Sequence, residues 1–341
     1  MKLHQFCAAA GLTAALAVTS ALGQEDTADD SKRFTAERVF DIEYATGPQI
    51  SPDGKAIIYV RHSMDRMTDR DTGHLWIIDV ESGAQRPLLG AGGSAGAPSW
   101  SPDGSRVLYT STANGKPELK LVYMDTGLSY SIAQFEESPS GATWSPDGRN
   151  IAFSMFVPGD KPGFATPPEQ PEGAEWSEPV KVIDDLTFRF DGAGYLEDGA
   201  DQVFVLPAEG GTPRQVTKGE AEMGGQAWLD NDTLLVTGNL ADDRDMDPIE
   251  SEIYAVELAD LSISPLTSRN GPDYAPMPSP DGQLIAFRGY DDEEKSYQQD
   301  HLYLMSADGS NVRELVPGFA GSPAQIEWAP DGKSLFMLFE D

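Results

Sequence analysis

The stretch "WSPDG", Trp100 to Gly104, returns at Trp144, and close relatives of it stand at Ile50 ("ISPDG"), Pro278 ("PSPDG") and Trp328 ("WAPDG"). Ser-Pro-Asp-Gly suits a type I turn: Ser caps the first place, Pro presets φ at the second, Asp fits the third, and Gly accepts the left-handed φ that follows. Each copy precedes a strand-like apolar run: "AIIYV" from Ala56, "VLYTS" from Val107, "IAFSMF" from Ile151, "LIAF" from Leu284 and "LFMLF" from Leu335. The string therefore shapes turns between strands and performs no chemistry.

Most copies continue alike. A second run follows, such as "HLWIIDV" from His74, "LKLVYM" from Leu119, "QVFVL" from Gln202, "EIYAV" from Glu252 or "HLYLM" from His301. A short third run such as "RQVT" or "RELV" comes next, and a fourth ends in an aromatic residue before the following turn, at Trp100, Trp144, Trp228 and Trp328. Each repeat thus holds four strands. The turns at Ser51, Ser101, Ser145, Ser279 and Ala329 are 50, 44, 134 and 50 residues apart, and a degenerate copy, "WLDNDTLLV" from Trp228, divides the long gap. Four-stranded units recurring at about 40 to 50 residues are the mark of a β-propeller. A β-sandwich would not repeat its turn so regularly. The expected fold is all-β, a propeller of four-stranded blades over residues 34–341, with five complete and a sixth begun. A propeller closes by packing its last blade on its first. Either Phe34 to Ile50 completes the sixth blade, or more chain exists beyond Asp341 and the propeller is cut short.

Hydrophobic residues make up 39% of the chain, with 34 Gly and 25 Pro, the composition of a folded, turn-rich protein rather than a disordered one. The opening "MKLHQFCAAAGLTAALAVTSALG" pairs Lys2 with an apolar run and small residues at Ala21 and Gly23, which reads as a cleaved export signal, residues 1–23, before an acidic linker, 24–33. The apolar run is shorter than the roughly 20 residues of a membrane span. The single cysteine, Cys7, leaves with that leader, so an exported chain without disulfides is expected, periplasmic or secreted from a bacterial envelope. The formal charge of −32 repels nucleic acid and anionic membranes.

One irregularity stands out: Val157 to Val180, "VPGDKPGFATPPEQPEGAEWSEPV", whose six prolines forbid a continuous strand or helix. It is an excursion from the third repeat. After it comes "VIDDLTFRFDGAGYLEDGADQVFVLPAEGGTPRQVT", Val182 to Thr217. With the N-terminal "FTAERVFDIEYATGPQISPDGKAIIYV" and the repeated "WSPDG", this stretch resembles the propeller of prolyl oligopeptidase-family serine peptidases, in the acylaminoacyl-peptidase and dipeptidyl-peptidase-like branch. The turns alone are shared with the TolB propeller and are weak. The "R-x-D-G-x-G-Y" string at Arg189, Asp191, Gly192, Gly194 and Tyr195 is more specific. The resemblance implies a propeller that restricts access to a C-terminal α/β-hydrolase domain carrying a Ser nucleophile, Asp and His, and no part of that domain lies within these residues.

Other chemistry is weaker. "GGSAG", Gly92 to Gly96, matches a nucleophile elbow in letters, but Pro98 and Pro102 forbid the helix that must follow the serine, so it reads as a connecting loop. "DDRDMD", Asp242 to Asp247, fails as an EF-hand because Pro248 and Tyr254 stand where Gly and Glu belong, and with "DDEE", Asp291 to Glu294, it reads as a solvated acidic loop. His74 and His301 hold equivalent places in two repeats and, with His62, suggest neither a triad nor a metal set. No cofactor or metal is expected. The candidate substrate-rim residues are Arg189, whose guanidinium suits a carboxylate or carbonyl, and Tyr195. The expected partners are a peptide substrate and the chain's own hydrolase domain, and the expected function is a gate on peptide hydrolysis, inactive alone; the alternative is a free-standing TolB-like propeller that binds proteins.

Overall fold

The computed structural model describes residues 34–90, 94–159, 168–177, 182–183 and 185–340. The leader 1–23 and the linker 24–33 lie outside them. The one helix among the described residues is a single 3-10 segment, Ala36–Asp41; every other element is a strand.

Five antiparallel four-stranded sheets follow one another along the chain. Sheet I holds β1 (Glu43–Ile50), β2 (Ala56–Asp65), β3 (Arg70–Asp79) and β4 (Gln85–Pro87). Sheet II holds β5 (Ala95–Trp100), β6 (Arg106–Ser111), β7 (Glu118–Tyr123) and β8 (Ser129–Gln134). Sheet III holds β9 (Ser140–Trp144), β10 (Asn150–Pro158), β13 (Gly199–Pro207) and β14 (Arg214–Gln215), interrupted by the small hairpin β11 (Arg189–Phe190) and β12 (Gly194–Tyr195). Sheet IV holds β15 (Met223–Trp228), β16 (Thr233–Gly238), β17 (Glu252–Glu257) and β18 (Ile263–Pro265). Sheet V holds β19 (Asp273–Pro278), β20 (Leu284–Gly289), β21 (His301–Ser306) and β22 (Arg313–Glu314), and β23 (Ser322–Trp328) pairs with β24 (Leu335–Glu340) beyond it.

The turn string joins the first and second strands of a sheet. The aromatic run before it therefore belongs with the strand after it, as Trp100 opposite Val107 shows. The expected four-strand unit is present, but its boundary falls before the aromatic run rather than at the turn, and so the last unit holds two strands where the sequence promises one.

The turns work through a buried serine. Ser101 is fully buried; its Oγ donates to Asp103 Oδ1 (2.6 Å) and accepts from the Arg106 N–H (2.9 Å). Ser51, Ser145 and Ser279 repeat both bonds. The hydroxyl holds the Asp103 carboxyl down to about 2, and the Asp53, Asp147 and Asp281 carboxyls below their ordinary value for the same leading reason. Gly104, at φ 70, supplies the left-handed residue.

Four residues before each turn start, the first strand bulges through another left-handed residue: Gly47, Ala97, Gly141, Gly225 (before Leu229 of the degenerate copy) and Ala275, at φ between 46 and 60. The ladder slips there in every sheet, which bends the strand and increases its twist. The first strands then pack on one another in series, β1 on β5, β5 on β9, β9 on β15 and β15 on β19. The core is a set of apolar layers between consecutive sheets, such as Leu108, Leu121, Phe153 and Phe204 between II and III. Trp indoles cross four of these junctions: Trp100 Nε1 donates to Gln49 O (3.1 Å), Trp144 to Ser99 O (3.3 Å), Trp228 to Thr143 O (3.2 Å) and Trp328 to Met277 O (2.9 Å). At the junction of IV and V the matching residue is Pro278, which carries no such donor.

Candidate functional site

Strands alternate in direction, so the connections from second to third strand emerge on the side opposite the turns. These are the segments 66–69, 112–117, 159–198, 239–251 and 290–300. Both acidic loops and the described ends of the excursion therefore share one rim, while the repeated turns occupy the other; residues 160–167, 178–181 and 184 of the excursion lie outside the described residues.

The excursion is longer than the proline-rich stretch suggested. It runs from Gly159 to Asp198, where Gly159 N donates to Asp198 O (2.8 Å) and closes its base. Gly199, at φ 145, leaves no room for a side chain: a Cβ would collide with Val157 O and the Phe156 ring. Within the excursion Arg189 pairs across the hairpin with Tyr195, and Phe190 with Gly194. Directly opposed residues project to the same side, so the structure brings the two rim candidates together, both exposed. The Tyr195 and Phe188 rings lie 6.2 Å apart, and Val182, Ile183, Leu186 and Phe190 of the same segment are also exposed.

The most unusual chemistry on this rim was not anticipated. Asp273 opens β19 fully buried, in the place that Ala95 and Met223 fill in sheets II and IV. Neither of its carboxylate oxygens has a hydrogen-bond partner. Arg269 Nη1 stands 3.6 Å from Oδ1 and is itself unpartnered, while its Nη2 donates to Asp291 Oδ1 (2.9 Å) and its guanidinium lies over the Tyr303 ring at 3.8 Å. Glu252 Oε2 is a fourth unpartnered buried atom. Burial pushes the Asp273 carboxyl up to about 7 against the opposing pull of Arg269, and burial also raises Glu252. Nearby, Gly271 N donates to Glu250 Oε2 (2.7 Å).

Sheet I carries a hydroxyl–imidazole–carboxylate chain. His62 Nδ1 lies 2.8 Å from Asp71 Oδ2, His62 Nε2 2.8 Å from Thr46 Oγ1, and the Tyr44 hydroxyl donates to Asp71 (2.7 Å) while its ring stacks on His62 at 4.5 Å. The Tyr44 hydroxyl lowers the Asp71 carboxyl, so Asp71 accepts from both the phenol and His62 Nδ1, with Thr46 Oγ1 at Nε2. The histidines thus include one such chain, which the sequence had set aside. It clasps β1 onto the β2–β3 hairpin. His74 and His301 do occupy equivalent places, opposite Arg61 and Gly289. In "GGSAG", Ser94 Oγ accepts the Gly73 N–H (3.2 Å) and the chain runs straight into β5; Gly92 and Gly93 lie outside the described residues.

Residues 41–161 match the TolB β-propeller domain, and residues 176–297 match the dipeptidyl peptidase IV N-terminal region. The chain is 26% identical over 216 residues to an uncharacterized peptidase of Bacillus subtilis, covering 63% of this chain and 32% of that one. It is 22% identical over 356 residues to dipeptidyl-peptidase 5 of Porphyromonas gingivalis, covering 97% and 49%. The acylaminoacyl peptidase of Pyrococcus horikoshii superposes with a TM-score of 0.66 at 17% identity, over 88% of this chain and 43% of that one. The chain resembles the propellers of these peptidases. It spans between a third and a half of the length of those relatives. In the propeller, the dipeptidyl-peptidase match begins inside the excursion and takes in Arg189, Tyr195, both acidic loops and Asp273.

Proposed function

We propose that this propeller gates an exported serine peptidase that hydrolyses peptides. The observation that carries the reading is the excursion 159–198, standing on the rim opposite the turns in a chain similar to peptidases over most of its length. Long segments on rigid scaffolds are where binding residues gather. The nucleophile and its His and Asp partners belong to an α/β-hydrolase domain outside these 341 residues, so the propeller alone hydrolyses nothing. Access through the rim selects by size: peptides enter and folded proteins do not. Arg189 meets a substrate carboxylate or carbonyl, with Tyr195 beside it. Residues 1–23 direct export and are removed, and the sheets are blades, five complete and a sixth opened by β23 and β24.

The TolB match over 41–161 favours one other reading, a propeller that binds envelope proteins. The two separate in the protein purified at its natural length from its host. Hydrolysis of short peptides but not of folded protein, blocked by a fluorophosphonate, is expected. A protein that neither cleaves peptides nor takes the fluorophosphonate overturns the peptidase reading. Within an active enzyme, Arg189→Ala is expected to raise KM about tenfold, the loss of one charged hydrogen bond, with little change in kcat; an unchanged KM removes Arg189 from the rim.

A further inference from the structure

The junction of sheets IV and V differs from its neighbours in two ways at once. It has Pro278 where four other junctions carry a Trp indole bond, and it buries a carboxyl where two other sheets bury Ala95 and Met223. The segment Arg269 to Asp273 crosses this junction and holds both acidic loops. On one side Asp273 N donates to Ser251 O (2.7 Å) and Gly271 N to Glu250 Oε2 (2.7 Å), anchoring the end of loop 239–251. On the other, Arg269 Nη2 holds Asp291, Asp292 N donates to Asn270 O (2.9 Å), and Asn270 Nδ2 donates to Asp292 O (3.1 Å), anchoring the start of loop 290–300.

The charges at this point do not balance. Asp273 faces Glu250 and Glu252 from sheet IV and its loop, Asp291 from the sheet V loop, and one cation, Arg269, with the Tyr303 phenol packed on the guanidinium. Asp273 has no water access, and the one guanidinium beside it also serves the exposed Asp291, so the buried carboxyl lacks a full counter-charge. A buried excess of negative charge is neutralised by a counter-ion or by a proton. With no hydrogen-bond donor on either Asp273 oxygen and one shared guanidinium beside it, a proton is the neutralisation that fits the site.

We propose that the Asp273 carboxyl is a proton-operated latch that sets how firmly the two acidic loops are held on the rim. With Asp273 protonated, Arg269 serves Asp291 and the loop 290–300 stays docked. Loss of the proton turns Asp273 into a competitor for the same guanidinium, 3.6 Å away, and adds a charge that repels Glu250, Glu252 and Asp291. Arg269 is then shared and both loops loosen. The latch is a property of the propeller and does not depend on the peptidase reading.

Hydrogen exchange read by mass spectrometry tests it on the whole protein, from pH 5.5 to 8.5, with rates divided by the intrinsic pH dependence of exchange. Peptides spanning 239–251 and 290–300 are expected to lose about threefold or more in protection as pH rises through about 7, beyond any change shared with Arg106 to Ser111 of sheet II, which reports the stability of the whole fold. In Asp273→Asn, which cannot ionise, the two loops are expected to stay protected throughout. Loops whose protection shows no pH step in the wild-type protein overturn the latch, whether or not the variant folds. A step that persists in Asp273→Asn overturns it equally, since another group then drives the change.

Discussion

Folding takes the Asp273 carboxyl from water, where it ionises near 3.8, to a burial that lifts it to about 7. Between those values the folded chain keeps a proton that the unfolded chain has released. Stability therefore falls as pH rises from about 4 to about 7 and then levels, by an amount on the order of 4 kcal/mol for this group alone. Asp273→Asn keeps the shape and removes the ionisation, so it is expected to flatten that decline and to exceed the wild type above pH 7. Guanidinium unfolding of both proteins at pH 5, 6, 7 and 8 checks it, and parallel curves would remove Asp273 as the cause. The signal for this residue was present in the repeats. Six places before the turn serines stand Ala45, Ala95, Pro139 and Asp273, and Met223 holds the same place in the degenerate copy. A charge in an apolar column breaks the local rule, as functional or strained sites tend to do. What the sequence could not reveal is that the column is buried in sheets II, IV and V, or that Arg269 would arrive from the preceding connection.

At the level of the turn and the strand, the repeat makes each exception a test. Among the Pro-Asp-Gly turns, Ala329 is the one start that lacks the serine hydroxyl; its backbone bonds remain, Gly332 N to Ala329 O at 2.9 Å and Ala329 N to Ser334 O at 2.8 Å. Ala329→Ser is expected to add the bonds to Asp331 and to the Ser334 N–H and to stabilise by about 1 kcal/mol, whereas Ser101→Ala strands the Arg106 N–H and costs about 1 to 3 kcal/mol. The pair of unfolding free energies checks both signs; a destabilised Ala329→Ser would mean the serine is not what holds the turn. Ala97, at φ 46, stands where three other sheets use glycine. Ala97→Gly relieves a left-handed alanine at some cost in chain entropy, with an expected net gain of about 0.5 to 1 kcal/mol. Turns, strands and the repeat length were legible because their determinants are local: a serine, a proline and a glycine in four consecutive places. The boundary of the excursion was not, because it depends on Asp198 and Gly199 meeting Gly159 and Val157 across a ladder. The hairpin that faces Arg189 with Tyr195 is intermediate, since Asp191 to Gly194 is turn chemistry but the side on which the pair projects is set by register.

For the molecule as a whole, consecutive sheets share apolar layers, and the surface carries nearly all of the charge. With 56 acidic and 24 basic residues, the formal charge of −32 at pH 7 pushes the compact state apart against the cohesion of those layers. Added salt screens that repulsion: the Debye length falls from about 30 Å at 0.01 M to about 8 Å at 0.15 M, well below the width of a sheet stack. The melting temperature at pH 8 is therefore expected to rise by a few degrees over that range, each gain of about 1 kcal/mol being worth about 1.5 °C in a chain of this size. Near pH 4.2, the isoelectric point, the same titration is expected to do little, because the net charge is gone. Scanning calorimetry in sodium chloride at both pH values separates this from ion-specific effects. A melting temperature at pH 8 that ignores salt would mean that pairs such as Arg106 with Glu209 and Arg244 with Glu220, which salt weakens, offset the gain from screening the excess charge.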